Sequence, residues 1–105
     1  MADIKTAKIY SQKEGSEKRS VLLTLRDDGS IQMHTYDDSQ AALKIWGKED
    51  YEFWVTVPPD TVPKLTFDLL QAHFTGRAGA TDELRSFCKT NDIACEWKSY
   101  PWLQS

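Results

Sequence analysis

Cysteine is scarce in this 105-residue chain, with Cys88 and Cys95 the only two. Two thiols cannot build a disulfide framework, so the stapled mini-protein class is excluded and free thiols in a reducing compartment are expected. Histidine is equally rare, at His34 and His73. These four residues are suitable zinc ligands by type, but no Cys-x-x-Cys or His-x-x-x-His spacing preorganises a site, so no metal is expected. No apolar stretch reaches the roughly 20 residues that span a bilayer. The opening Met1-Ala2-Asp3-Ile4-Lys5 also lacks the hydrophobic region of a signal peptide. A cytoplasmic protein without a membrane partner is predicted. Phosphate-binding loops are missing too: Gly76-Arg77-Ala78-Gly79-Ala80-Thr81 precedes one helical pattern but follows another, and it has neither P-loop nor dinucleotide spacing. No cofactor is expected. Basic charge is in short supply, with 13 Lys and Arg against 16 Asp and Glu and a net charge of −3. That balance argues against a nucleic-acid partner, whose phosphates need neutralising.

What the chain does have is aromatic surface, including four Trp, within an ordinary globular composition of 40% apolar and 28% charged residues. Its densest run, Tyr51-Glu52-Phe53-Trp54-Val55-Thr56-Val57, ends at Pro58-Pro59. The run predicts a central strand with both faces largely covered. Asp3 to Tyr10 alternates loosely among lysines and reads as an edge strand, and Ser11 to Arg19 reads as a polar loop. Val21 to Leu25 and Ile31 to Tyr36 flank Asp27-Asp28-Gly29-Ser30, the residues of a hairpin turn.

Asp37-Asp38-Ser39 followed by Ala41, Ala42, Leu43, Ile45 and Trp46 predicts a short helix ended by Gly47. Asp60 is placed to cap a helix with Pro63 in its first turn. Val62, Leu65, Leu69 and Ala72 form its apolar stripe, Leu70 and Phe74 widen it, and Gly76 stops it. Thr81 caps a second helix whose buried face holds Leu84, Phe87 and Cys88. Ile93 to Tyr100 alternates as a last strand, and residues 101–105 form a tail. The expected fold is therefore a single α+β domain over residues 1–105, with a folded core over 1–100. It has an antiparallel-rich sheet of about five strands, with two main helices and one short helix packed on one face.

Catalytic readings find little support. Cys88 falls near the C-terminal end of its helix and on the apolar face, where helix dipole and desolvation both oppose a thiolate. Neither histidine has a sequence neighbour that would orient it for acid–base work. Adjacent carboxylates such as Asp37-Asp38 point apart, whereas a catalytic pair must face one bond. No catalytic residue is assigned.

Charge is unevenly spread. Residues 1–26 hold six basic side chains against three acidic, whereas residues 27–60 hold eight acidic side chains against Lys44 and Lys48. Along the aromatic strand, Tyr51, Phe53, Val55 and Val57 share one face and Glu52, Trp54 and Thr56 the other. Helices on the first face would leave Trp54 on the bare one, with Trp97, Tyr100 and Trp102 free to join it. The residues point to a protein–protein interaction module that uses Trp54, Trp97, Trp102 and Tyr100, with an acidic rim at Glu49, Asp50 and Glu52. The partner is a second copy, or a basic protein blocked in the manner of an immunity protein or inhibitor. The rival reading is a small ligand binder or enzyme with a pocket between sheet and helices lined by Tyr51, His73 and Cys88.

Overall fold

The computed structural model describes residues 3–14, 17–38 and 50–100. The chain is α+β. Strands β1 (Asp3–Glu14), β2 (Glu17–Arg26), β3 (Ile31–Asp38) and β4 (Asp50–Val57) pair antiparallel in the order β1-β2-β3-β4, and helices α1 (Val62–Phe74) and α2 (Ala80–Thr90) follow. Two compact units divide it, Met1–Asp68 and Leu69–Ser105, with the boundary inside α1. The expected short helix over residues 41–46 and the tail over 101–105 lie outside the described residues.

The β2–β3 hairpin forms where turn chemistry and alternation agree. Gly29 takes φ +90°, a conformation that costs a residue without a Cβ little. The Asp28 carboxylate accepts from both the Ser30 backbone N–H at 2.9 Å and the Ser30 hydroxyl at 2.7 Å. Ser30, only 3% exposed, is thereby satisfied. The backbone closes with Arg26 N–H donating to the Ser30 carbonyl at 3.0 Å.

Of the residues expected as a loop from Ser11 to Arg19, those described, 11–14 and 17–19, instead extend the ladder. Ser11 pairs with Ser20, Gln12 with Arg19, Lys13 with Lys18 and Glu14 with Glu17. Backbone hydrogen bonding needs no apolar side chain, so a polar segment continues a strand once its partner is held. β2 is held from its other side, where Arg19 donates to the buried Asp37 carboxylate at 3.1 Å.

The expectation of a central, covered strand at Tyr51–Val57 is corrected. Among the described residues β4 pairs only with β3 and forms an edge of the sheet. Phe53 is 37%, Trp54 53% and Val55 62% exposed. An aromatic and β-branched composition favours a pleated surface but does not say how many neighbours the strand has.

A second correction concerns Ile93–Tyr100, which belongs to no strand. After α2 the chain turns through Asp92 at φ +55°. Ile93 N–H donates to the Cys88 carbonyl at 2.8 Å and Asp92 N–H to the Lys89 carbonyl at 3.4 Å. This is the paired bonding of a Schellman helix end, with aspartate where glycine is usual. Beyond it Ile93, Cys95 and Trp97 line one depression with Arg85, Cys88 and Lys89 of α2. Ala94 lines it too, and all of Ile93–Tyr100 is exposed, so the period-two pattern marks no alternately buried strand.

The helices start elsewhere than expected. Thr61, not Asp60, opens α1, because its carbonyl accepts the first helical bond from Leu65 N–H at 3.1 Å. Gly79, not Thr81, occupies the N-cap of α2, and no side chain caps it. Gly76 ends α1 at φ +86°, as the sequence implies. Cys88 is the one buried residue of α2, since Leu84 is 38% and Phe87 58% exposed.

Candidate interaction surface

Ladder register decides which side chains share a face. Row by row from β1 to β4, one face carries Thr6, Thr24, Gln32 and Thr56, then Lys8, Leu22, His34 and Trp54, then Ser20, Tyr36 and Glu52 from β2 onward. The opposite face carries Leu25, Ile31 and Val57, then Ala7, Leu23, Met33 and Val55, then Val21, Thr35 and Phe53. Alternation along each strand produces the two faces, and the register lines up their rows.

The first face contains a built cluster around Trp54. His34 lies directly across the ladder, and its imidazole stacks on the indole with centroids 4.8 Å apart and planes 4° from parallel. Diagonally, Glu52 Oε2 meets His34 Nε2 at 3.0 Å. One row on, Arg26 donates to Gln32 Oε1 at 2.9 Å, and the Gln32 amide donates to Thr56 Oγ1 at 3.0 Å. Carboxylate, imidazole and indole therefore fix one another, and the indole is held in place while more than half of it stays open. Side chains held in advance lose less entropy when a partner arrives.

The opposite face is more apolar at its middle and is also open, with Met33 41% exposed beside Val55. Its polar end is closed by the Arg19–Asp37 pair, with the carboxylate 6% exposed against 44% for the guanidinium.

The acidic middle of the sequence is partly spent internally. Asp28 accepts from Ser30, Asp37 pairs with Arg19 and Glu52 pairs with His34. Asp50 pairs with Asp38 in the ladder, and Glu49 lies outside the described residues.

In the second unit, the Arg85 guanidinium lies 4.3 Å from the Trp97 ring centroid, a cation–π contact that leaves the indole 55% exposed. Tyr100 is 68% exposed, and Trp102 lies outside the described residues. A cleft of about 330 Å³ lies between the helices, lined by Leu69, Leu70, His73, Phe74, Leu84 and Phe87. His73 stands edge-on to Phe74 at 4.7 Å. Cys88 is not part of that cleft. Burial raises its thiol above the ordinary cysteine range, and the neighbouring Cys95 adds to the effect.

Sequence reasoning picked out Trp54 and Glu52 but missed His34 between them. The only signal was the alternation that put His34 opposite Met33 in facing. Among the described residues no cluster of three or more His, Cys, Asp or Glu is placed to hold a metal, and no helix is long and apolar enough to cross a membrane. No family model, no curated protein and no solved structure matches this chain.

Proposed function

We propose that this chain is a protein–protein interaction module of the cytoplasm, acting through the aromatic surface centred on Trp54. The observation that carries the reading is an indole 53% exposed yet stacked on His34, itself held by Glu52. An exposed, immobilised aromatic is how interfaces place their anchors. Glu52, with Glu49 and Asp50 beside it in the sequence, gives that surface its acidic rim, and Trp97, Tyr100 and Trp102 are further candidate contacts. The partner is a second copy or a basic protein blocked by the acidic rim, as an immunity protein or inhibitor would block it. Two measurements test the reading: sedimentation of the chain, and retention of proteins from native lysate by immobilised wild type against Trp54→Ala. Self-association, or a retained protein lost in Trp54→Ala, supports the module. A wild-type chain that stays monomeric and retains nothing removes it.

The interhelix cleft favours a second reading, a binder of a small apolar ligand. Its test is titration with an apolar fluorescent probe. Saturable binding weakened by Phe87→Ala supports it, and non-saturable partitioning excludes it.

A further inference from the structure

The two edges of the sheet are built differently. β1 carries Lys5, Lys8 and Lys13 and is broken by register shifts between Asp3 and Lys5 and between Lys8 and Tyr10. Lysines and bulges are devices that stop an edge from accepting another strand. β4 has neither. Its pairing with β3 runs without a shift from Val57 to Asp50, and it contains no Lys, Arg or Pro. Among the described residues it is paired on one side only.

We propose that β4 is a strand-addition edge and that its occupant is the β4 of a second copy, antiparallel about a two-fold axis at Trp54. The inference rests on the interaction-module reading and specifies how two copies meet. Self-complementarity identifies the occupant. About that axis Glu52 lies opposite Thr56 of the second copy, Phe53 opposite Val55, and Trp54 opposite Trp54. The Trp54 and Phe53 pairs are of a favourable kind, aromatic with aromatic and aromatic with β-branched, and no like charges meet. A parallel in-register pairing would instead set Glu52 beside Glu52. The two-fold arrangement also continues the stacked row His34–Trp54 into its symmetry mate, joining two four-stranded sheets into one of eight strands.

The test is site-directed cross-linking of the full chain with Cys88→Ser and Cys95→Ser, using glutathione disulfide as oxidant, alongside sedimentation of the unmodified chain. A disulfide needs Cα atoms about 4.4–6.8 Å apart. Trp54→Cys is expected to give a covalent dimer. Thr56→Cys alone is not, because its two copies would lie four residues, about 13 Å, apart along the ladder. A mixture of Glu52→Cys and Thr56→Cys chains is expected to cross-link in the mixed pair only, which decides the matter if Trp54→Cys does not fold. A monomeric wild type overturns the proposal but leaves the module free to bind a different protein. A dimeric wild type in which Thr56→Cys self-links, or in which the mixed pair does not link, also overturns it, while self-association through another surface stands.

Discussion

Removing the Arg19 guanidinium tests whether the polar end of the β1–β2 hairpin is structural rather than loose. The contact is a single 3.1 Å bond to an Asp37 carboxylate that is 6% exposed, while the Arg19 side chain is 44% exposed. Breaking an ion pair in the interior costs about 3–5 kcal/mol because a buried charge is left alone, whereas an exposed pair is worth about 0–1 kcal/mol. With one member at the surface and water able to approach through the vacated volume, Arg19→Ala is expected to cost about 1.5 kcal/mol. For a chain of this size that lowers the thermal midpoint by about 6–9 °C. Asp37→Ala removes the buried charge together with the bond. The double variant is therefore expected to fall short of the sum by about 1 kcal/mol. Urea unfolding followed by far-ultraviolet circular dichroism gives all three values. An Arg19→Ala cost below about 0.5 kcal/mol, or strict additivity, would mean that the pair does not hold the ladder beyond Tyr10.

Backbone sign gives two opposed expectations. Gly29→Ala has room, with Pro59 Cβ 3.5 Å from the added methyl, but must adopt φ +90°, so it is expected to destabilise by about 1–2 kcal/mol in urea. Asp92→Gly relieves a residue at φ +55° in the helix-end motif and is expected to stabilise by about 0.5–1 kcal/mol, and a loss instead would contradict the assigned motif. The Ser30 hydroxyl and then the Ser30 N–H hold the Asp28 carboxyl below its ordinary range. A lowered carboxyl stabilises the fold above the unfolded-state pKa and loses that contribution as pH falls through the lowered value. The thermal midpoint of wild type should therefore drop more steeply in acid than that of Asp28→Asn, and parallel curves would refute the turn geometry. With its thiol raised by burial and by Cys95, Cys88 should alkylate more slowly with iodoacetamide than exposed Cys95 at mildly alkaline pH, and peptide mass mapping that finds equal rates would contradict its burial.

Local chemistry was legible where one segment contained all its own determinants. Asp28, Gly29 and Ser30 specify a turn, flanking alternation specifies its strands, and Gly76 specifies the end of α1. Neighbour relations were not legible. Tyr51 to Val57 would read alike in the middle of a sheet or at its edge, because alternation fixes faces but not the number of paired sides. Residues 11–14 and 17–19 hid their strand character because ladder bonds carry no side-chain signature. Ile93 to Tyr100 mimicked a strand because its apolar alternation is not matched by burial, every residue of the segment being exposed. The Trp54 cluster lay between these cases. Its exposed indole was visible in the aromatic run, but His34 sits 18 residues from Glu52 and only the β3–β4 register brings them to 3.0 Å.

Residue-resolved amide exchange of the unmodified chain at low and high concentration tests the open edge of β4 most directly. Pairing through that edge predicts that the outward amides between Glu52 and Thr56 slow as concentration rises, while those along the lysine-guarded β1 keep their rates. Exchange in β4 that is fast and independent of concentration would contradict it.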